Sequence, residues 1–431
     1  MPKRQNFKET HMKKKVFAMI LCLALVTALV IGLVACNNDE DAKEIELPAY
    51  DGIVNPDYSG VTIKSDFKIG VICLHDDSST YDKNFIDAAK KAISELGLTS
   101  DNIIFKTNIA ESNKCKDAAV DLVDAGCDVI FADSFGHESF IKEVAAANPG
   151  VQFCHATGVM AASSGLDNFH NAFASIYEGR YLAGVAAGLK LNEMIANGTI
   201  KENEAKMGYV GAFTYAEVIS GYTAFYLGAK SVCPSVTMDV KFTGSWYDLT
   251  AEKTTAEALI EGGCKLISQH ADSMGAPSAC EQAGVPNVSY NGSTFVACPD
   301  TFIVSSRIDW TPYFKYIITQ TAQNLAIDDD WTGTLATGSV VLTNLGGKAA
   351  AAGTVGKIVE VRKQLAEGTL QVFDTSKFTV NNEKVTSFKV DGQEVIENGI
   401  FKESFVRSAP YFEYKIDGIN LLNVEYGKSN D

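Results

Sequence analysis

The sequence predicts an α/β protein of two lobes, each built on a doubly wound parallel sheet, with a small antiparallel appendage at the C-terminal end. Two series of short apolar strands alternate with helices of about 10–15 residues, and such alternation indicates parallel strands joined by right-handed crossovers. From about Val372 onward the pattern changes to short strands separated by Asn-Asn and Asp-Gly pairs, which are typical of antiparallel hairpins. A chain of 431 residues is also too long for one ordinary core.

The first segment is typical of an exported protein. Three lysines at 13–15 precede an unbroken apolar run over 16–35, and together they match the charged and apolar regions of a secretory signal. Residues 1–35 are therefore predicted to be a signal peptide. The sequence Leu-Val-Ala-Cys that ends at Cys36 resembles a bacterial lipobox, so this cysteine is the predicted lipidation site. Acyl chains would then hold the protein on the outer face of the cell membrane, although twenty apolar residues are also long enough for a membrane-spanning anchor.

The remaining elements follow in chain order. Residues 36–65 are predicted to be a lipidated N-terminus and a polar, acidic tether. Lobe 1 is predicted to comprise residues 66–172 and 303–330, and lobe 2 to comprise residues 173–302 and 331–431 with the C-terminal strands. The first series has predicted strands at 67–74, 102–106, 128–132 and 151–154 and predicted helices at 82–96, 114–125 and 139–147. The second series has predicted strands at 206–211, 237–242, 265–268 and 287–290 and predicted helices at 217–230, 251–261 and 277–283.

Charge and composition exclude several classes of protein. Residues 1–35 hold six basic side chains and one acidic one, so the rest of the chain carries a formal charge of −21, which would repel nucleic acids. The ten cysteines include no C-x-x-C pair, and most lie in or beside apolar runs, which predicts buried free thiols. No G-x-S-x-G, H-E-x-x-H or Walker A sequence is present, so no catalytic residue, metal or cofactor is predicted. An enzyme would have to use groups such as Asp76, Asp272, His155 and His270 as acids and bases.

Aromatic and polar residues follow nearly every predicted strand. In open parallel sheets ligands bind at the carboxyl ends of the strands, so these positions predict a ligand site between the lobes. Rings that stack on a flat molecule and a few directional hydrogen bonds would suit a small, planar, polar ligand. The candidate ligand-binding residues found in this way are Asp76, Tyr81, Ser134, Phe135, Phe213, Trp246, Asp272 and Asn291.

Six sequence blocks together resemble those of a known family, and the combination is more specific than any single motif. They lie at 128–136, 149–158, 176–188, 208–219, 245–248 and 269–273. These blocks resemble the basic membrane protein (BMP) family, whose members are substrate-binding lipoproteins of bacterial ABC importers, many of them receptors for purine nucleosides or bases. The resemblance runs from about Phe67 to the C-terminus. It implies a type I periplasmic-binding-protein fold with a hinge, and delivery of the ligand to a permease that is driven by an ATPase.

The resemblance also implies roles for particular residues. Asp76 stands where nucleoside-binding members have an aspartate after the first strand, and the Tyr-Asp-Lys-Asn-Phe block ends at Phe85, which implies that this ring stacks on the purine. Gly221 stands where a second stacking phenylalanine is expected, so Phe213 or Trp246 would have to close the sandwich.

The sequence therefore predicts a monomeric, lipid-anchored solute receptor on the extracellular face of a bacterial membrane. The Trp-Tyr-Asp block at 246–248 and the His-Ala-Asp-Ser block at 270–273 resemble an adenine-binding branch, which leaves nucleobase and nucleoside both open. Alternatives are a receptor for a sugar or another small polar solute and a surface sensor that is not coupled to transport. A purine-processing hydrolase is a further alternative, which the absence of catalytic motifs disfavours.

Overall fold

The computed structural model of the chain describes residues 43–54 and 56–424. The predicted signal peptide and the lipidation site at Cys36 lie outside the described residues. Within those residues, no helix combines the length and the apolar character that crossing a membrane requires.

The described chain alternates strands and helices along most of its length. The strands are β1 (Glu44–Ile45), β2 (Ile69–Ile72), β3 (Ile103–Lys106), β4 (Val129–Ala132), β5 (Gln152–Ala156), β6 (Phe169–Ala174), β7 (Lys206–Gly211), β8 (Thr237–Phe242), β9 (Leu266–Gln269), β10 (Asn287–Tyr290), β11 (Phe302–Ile308), β12 (Asp330–Gly333), β13 (Val340–Leu342), β14 (Leu345–Gly346), β15 (Lys389–Val390), β16 (Gln393–Glu394), β17 (Ile396–Glu397), β18 (Ile400–Phe401) and β19 (Ile419–Leu421). The α-helices are α1 (Thr80–Glu95), α2 (Asn113–Asp124), α3 (Glu138–Ala147), α4 (Ala161–Ser164), α5 (Ile176–Ala196), α6 (Ala216–Val232), α7 (Leu249–Glu261), α8 (Gly275–Ala283), α9 (Thr311–Ala322) and α10 (Thr354–Ala366).

Two parallel sheets form the cores of the two lobes. The first sheet has the order β12-β6-β5-β4-β2-β3, and every neighbouring pair in it is parallel. The second has the order β13-β11-β10-β9-β7-β8-β19, in which only β13 runs antiparallel to its neighbour. Strands β2 and β4 are apolar and wholly buried, as expected for parallel sheets that helices cover on both faces. The predicted α/β fold with two parallel sheets is confirmed.

The chain crosses between the lobes three times, after β6, after β11 and after β12. Hydrogen bonds join the crossing segments, from the Ser175 amide to the Gly333 carbonyl at 2.8 Å and from the Asp309 amide to the Ser339 carbonyl at 2.7 Å. One predicted boundary differs from the structure. Residues 303–330 were expected to lie wholly in lobe 1, but β11 belongs to the second sheet, and the chain enters the first lobe only with α9, which packs on α1.

Helices α5 and α6 cross at very short range in the second lobe. Glycines make this crossing possible, because a Cβ atom on Gly184 would lie 2.0 Å from the Phe225 carbonyl oxygen and one on Gly228 would lie 2.0 Å from the Tyr181 carbonyl oxygen. Twelve of the 21 residues of α5 and twelve of the 17 residues of α6 are buried, so neither helix has the one-sided apolar face of a surface helix.

The described part of the predicted tether is packed against the lobes. Strand β1 pairs with β14, the Val54 amide donates to the Ala336 carbonyl at 3.0 Å, and the Lys64 ammonium lies 2.7 Å from the Asp128 carboxylate. Residues 43–54 and 56–65 therefore differ from the extended spacer that their polar composition predicts.

The C-terminal region contains short antiparallel hairpins, as the sequence predicts, although the Asn-Gly turn at 398–399 is not one of the predicted pairs. β15 and β16 meet at Asp391-Gly392, and β17 and β18 meet at Asn398-Gly399; all four turn residues have positive φ, as turns of type I′ require. The Asp417-Gly418 turn differs from the prediction, because it leads into β19, which joins the second sheet parallel to β8.

A buried carboxyl group attaches the C-terminal region to the lobes. The Ser220 hydroxyl of α6 donates to Glu403 Oε2 at 2.6 Å, and the amides of Tyr411 and Phe412 donate to Oε1 at 3.0 and 3.1 Å. Burial raises the pKa of Glu403 to about 7. Because burial outweighs these hydrogen bonds and the charge of Arg407, ionisation of the group opposes folding.

We expect Gly228→Ala to destabilise the protein by about 3 kcal/mol, because the added methyl group would overlap the backbone of α5. Urea unfolding measures the change in the free energy of unfolding. Gly356→Ala is the matched control, since a Cβ atom there meets nothing within 4 Å, and it should leave stability unchanged or raised by up to about 1 kcal/mol. Equal stability of the two variants would contradict the close crossing.

We expect Glu403→Gln to flatten the dependence of stability on pH. The pKa of Glu403 is higher in the folded chain, at about 7, than its ordinary value of 4.5, so its stabilising contribution is complete below pH 4.5 and is lost as the pH rises through 7. Between pH 5 and pH 8 the unmodified protein should lose about 2–3 kcal/mol that the variant retains. Urea unfolding at both pH values measures the free energy of unfolding, and Glu383→Gln, at an exposed position, is the control. The same change in stability between pH 5 and pH 8 in all three proteins would contradict this prediction.

Candidate functional site

A cavity of about 270 Å³ lies between the carboxyl ends of the two sheets, and we call it the interlobe cavity. Loops from both lobes and from the C-terminal region line it. The lining residues are Leu74, His75, Tyr81, Asp82, Ser134, Phe135, Thr157, Val159, Tyr215, Ala216, Glu217, Trp246, His270, Asp272, Tyr290, Asn291, Arg407, Ala409, Pro410 and Glu413. Its volume is close to the lower end of the range for small-molecule sites.

Aromatic rings form one wall of the interlobe cavity. Phe135 of the first lobe lies 5.5 Å from Tyr215 of the second, centroid to centroid, with 31° between the ring planes. Trp246 lies 5.9 Å from Tyr215 at 34°, and the Phe213 ring meets Trp246 edge-on at 5.0 Å. Phe135 remains 41% exposed. These rings offer flat apolar faces on which a planar ligand could stack.

The first lobe contributes a carboxylate held in the first turn of α1. Asp82 accepts hydrogen bonds from the His75 amide at 2.7 Å and from the Ser79 hydroxyl at 2.6 Å. Burial opposes its ionisation, but the hydrogen bonds from His75 and Ser79 outweigh burial and lower the pKa of Asp82. The adjacent Tyr81 hydroxyl donates to the Asp133 carbonyl at 2.7 Å, which fixes its ring at the cavity wall. Asp82 is thus an ionised acceptor at neutral pH.

The second lobe contributes a carboxyl group of the opposite kind. The Asn291 side-chain amide donates to Asp272 Oδ1 at 2.9 Å, and burial raises the pKa of Asp272 well above its ordinary value. Asn291 has φ of 65°, a left-handed conformation that asparagine tolerates better than most residues. The Asp272 carbonyl accepts from both the amide and the hydroxyl of Thr80 at 3.2 Å, which joins the two lobes across the cavity.

A chain of hydrogen bonds fixes Glu217 at the N-terminal end of α6. Arg180 Nη2 donates to the Tyr209 hydroxyl, so this hydroxyl donates its own proton to His270 Nδ1 at 3.1 Å. His270 Nε2 then donates to Glu217 Oε1 at 3.0 Å, and the Tyr290 hydroxyl adds a donor at 3.3 Å. Burial lowers the pKa of His270, so the ring is neutral and carries the one proton that this chain assigns to Nε2.

Arg180 lies behind this wall and is fully buried. Its guanidinium lies 4.3 Å from the centre of the Tyr290 ring and donates to the Gln269 carbonyl at 3.0 Å. A Cβ atom on Gly221 would lie 3.0 Å from the His270 ring and 3.6 Å from Arg180 Nε. The histidine and the arginine therefore occupy the space that a phenylalanine at position 221 would need.

Six of the nine predicted ligand-binding residues line the interlobe cavity. They are Tyr81, Ser134, Phe135, Trp246, Asp272 and Asn291.

The other three predicted residues lie elsewhere. Phe85 is fully buried and stacks on Trp310 at 4.5 Å and 27°, because it lies on the face of α1 that packs into the core. Asp76 accepts from the amide and the hydroxyl of Ser78 at 3.0 and 2.6 Å and so stabilises an exposed turn. Phe213 supports the edge of the Trp246 ring and is not part of the cavity wall.

Sequence reasoning missed two groups of lining residues. The first group follows predicted strands or begins predicted helices and could have been found by the same rule. Its members are Leu74, His75, Asp82, Thr157, Val159, Tyr215, Ala216, Glu217, His270 and Tyr290. The second group comes from a C-terminal segment. The hydrophobic pattern of this segment does not indicate that it lies near either sheet. Its members are Arg407, Ala409, Pro410 and Glu413.

One buried cluster near the cavity has atoms that metals bind. The side chains of Cys73, Asp82 and Asp133 place one ligand atom each within 4.8 Å of the others. Burial raises the pKa of Asp133 well above its ordinary value and also raises that of Cys73. A cation that bound here would have to displace the protons of both groups.

Comparisons with known proteins give the family and the fold. The family model of the PnrA-like ABC transporter substrate-binding proteins, Bmp, matches residues 69–347. A purine-binding protein of Brucella abortus is 32% identical over 53% of this chain and 61% of its own length. A protein of Haloferax volcanii, provisionally named an ABC transporter glucose-binding protein, is 33% identical over 51% of this chain and 52% of its own. The chain thus spans between about half and three fifths of the length of these curated relatives.

A solved structure shows the same fold at low sequence identity. The solute-binding protein of an ABC transporter system from Aeropyrum pernix superposes with a TM-score of 0.60 and 16% identity, over 71% of this chain and 92% of its own. Its parallel-sheet lobes are those of the type I periplasmic solute-binding fold. The family model covers well over half of the sequence, and the chain therefore belongs to the Bmp family of PnrA-like ABC transporter substrate-binding proteins.

Proposed function

We propose that the protein captures a purine nucleobase or nucleoside in the interlobe cavity and delivers it to an ABC permease. The observation that carries this proposal is the pairing of stacked aromatic rings with fixed hydrogen-bonding groups inside one small cavity between two lobes. The family is one of substrate-binding proteins of ABC transporters and not of enzymes, which supports capture without chemical change.

The chemistry of the cavity wall matches that of a purine. The rings of Trp246, Tyr215 and Phe135 offer faces for the planar base, and Glu217 and Asp82 offer acceptors for its N–H groups. Stacking contributes about 1–3 kcal/mol per base, and a hydrogen bond to a charged group about 1.5–3 kcal/mol. One or two stacked faces with two such bonds reach the roughly 8 kcal/mol that micromolar binding requires.

The relatives support more than one ligand class. The Brucella protein is named for purines, whereas the Haloferax protein is provisionally named for glucose. Aromatic faces and carboxylates also suit sugars, so a sugar is the second candidate.

Contacts across the cavity support a closing mechanism. Thr80 bonds to Asp272, His75 lies 5.3 Å from the Tyr247 ring, and Phe135 meets Tyr215. Since these contacts join opposite lobes, the structure has the arrangement of a closed receptor, and a ligand that contacts both walls would stabilise it over an open one. The closed form would be the one that the permease recognises.

The cellular setting follows from the sequence and the family. The lipobox at 33–36 supports anchoring through acyl chains on Cys36 at the outer face of the membrane. The expected partners are the permease and its ATPase, and the receptor is expected to act as a monomer.

We expect purines, and not sugars, to raise the melting temperature of the purified protein. A thermal-shift screen would compare adenine, adenosine, hypoxanthine, guanine and inosine with glucose and ribose, and calorimetry would give Kd values. Micromolar or tighter binding of a purine supports the proposal, since each ligand that binds the folded state alone stabilises it. Binding of glucose with no response to any purine would replace the proposal with the sugar alternative.

We expect Trp246→Ala to weaken binding of the preferred purine at least about tenfold, because it removes one stacking face. The fold should survive, since Trp246 packs at the rim of the cavity rather than within a core. Phe405→Ala is the matched control, because Phe405 is an exposed ring that does not line the cavity. Unchanged affinity in Trp246→Ala, measured by calorimetry, would remove this ring from the site.

A further inference from the structure

The C-terminal segment 403–413 forms part of the wall of the interlobe cavity. Arg407, Ala409, Pro410 and Glu413 line the cavity, although the region that the family model matches ends at residue 347. A portion of chain outside the matched region therefore contributes to the site, and it can give this protein a ligand preference of its own.

Hydrogen bonds on both sides of Arg407 hold the segment in place. Glu403 is bound to Ser220 of the second lobe, as described above, and the Ser408 amide donates to Asp330 Oδ2 of strand β12 in the first lobe at 2.7 Å. Ser408, Ala409 and Pro410 are all buried. The backbone that carries Arg407 is thus fixed against both lobes, which limits where its side chain can reach.

Arg407 differs in charge from the rest of the cavity wall. It is the only lysine or arginine among the described residues that line the cavity, whereas four of the lining residues are acidic: Asp82, Glu217, Asp272 and Glu413. Ionised carboxylates such as Asp82 only accept hydrogen bonds, so they face donors on a ligand. The guanidinium instead offers donors, so the complementary ligand carries an acceptor at this position.

The guanidinium of Arg407 keeps donors for such an acceptor. It lies 5.6 Å from the centre of the Tyr411 ring, and its ion pair is with Asp391, whose Oδ2 lies 3.8 Å from Nη1. That distance is longer than a hydrogen bond, and the Asp391 side chain is 70% exposed, so the pair is weak. Within residues 43–54 and 56–424 this guanidinium has no hydrogen-bond partner. The Arg407 side chain is 28% exposed.

We propose that Arg407 is a specificity-determining residue that selects an oxopurine, a purine with a carbonyl group at ring position 6, over adenine. This inference rests on the proposed function. Arginine binds the O6 and N7 acceptors of a guanine-type base with two parallel hydrogen bonds. Adenine carries an amino group in place of that carbonyl, so its N–H donors face the donors of the guanidinium. The proposal differs from the adenine-like ligand that the sequence blocks at 246–248 and 270–273 predict, and the test below distinguishes the two.

The test compares hypoxanthine with adenine by calorimetry on the full chain and two variants. The unmodified protein should bind hypoxanthine at least about tenfold more tightly than adenine, as the cost of a mismatched bidentate pair implies. Arg407→Gln should weaken hypoxanthine binding at least about tenfold and change adenine binding less than about threefold. Lys402→Gln is the matched control: it removes the same charge one residue before the segment, but Lys402 pairs with Glu397 and does not line the cavity. Both affinities should be unchanged in it.

Arg407→Lys keeps the charge and removes the planar fork, and it provides a second measurement if Arg407→Gln does not fold. It should lose most of the preference for hypoxanthine while retaining binding of both bases. A preference for adenine in the unmodified protein, or equal effects of the Arg407 variants on both bases, would overturn this proposal and leave the proposed function intact. Failure of every purine to bind would overturn the proposed function itself.

Discussion

The burial of Arg180 is the constraint on which the site depends. A guanidinium without a carboxylate in direct contact is costly to bury, and here aromatic rings and neutral acceptors surround it. It fits beside His270 because Gly221 has no side chain, since a Cβ atom there would lie 3.0 Å from the His270 ring and 3.6 Å from Arg180 Nε. The positive charge then orders the protons through Tyr209 and His270, so that Glu217 faces the cavity with its acceptors in a fixed direction.

The pKa values of two carboxyl groups at the interlobe cavity, Asp82 and Asp272, are shifted in opposite directions. Asp82 keeps its charge because it accepts hydrogen bonds in the first turn of a helix, whereas Asp272 is buried beside an amide and holds its proton. One wall therefore accepts hydrogen bonds from the ligand, and the other can also donate. A cavity that offered only acceptors would fit polycations, whereas this mixture suits a neutral molecule that carries both donors and acceptors.

The sequence predicted both sheets and six of the 20 residues of the cavity wall, because two simple rules apply there. Alternation of strands and helices implies parallel sheets, and the carboxyl ends of those strands collect ligand-binding groups, which located Trp246, Asp272 and Asn291. The prediction that Phe85 contacts the ligand is wrong because this ring stacks on Trp310, which lies far along the chain. Nothing in the local sequence indicates that the two rings meet. Strand β11 was assigned to the wrong lobe for a similar reason, since an apolar strand does not reveal which of two sheets it will join.

The C-terminal segment 403–413 connects lobe opening with the shape of the cavity. Its bond from Ser408 to Asp330 lies in the first lobe, and its bond from Glu403 to Ser220 lies in the second. When the lobes separate, the segment must bend between these two points or release one of them. A single hydrogen bond to a carboxylate is worth about 1.5–3 kcal/mol net, which is small beside the free energy of micromolar binding. Under the proposed function, the ligand supplies the difference in free energy between the open and closed forms, and the proposed contact with Arg407 forms only when both bonds hold the segment.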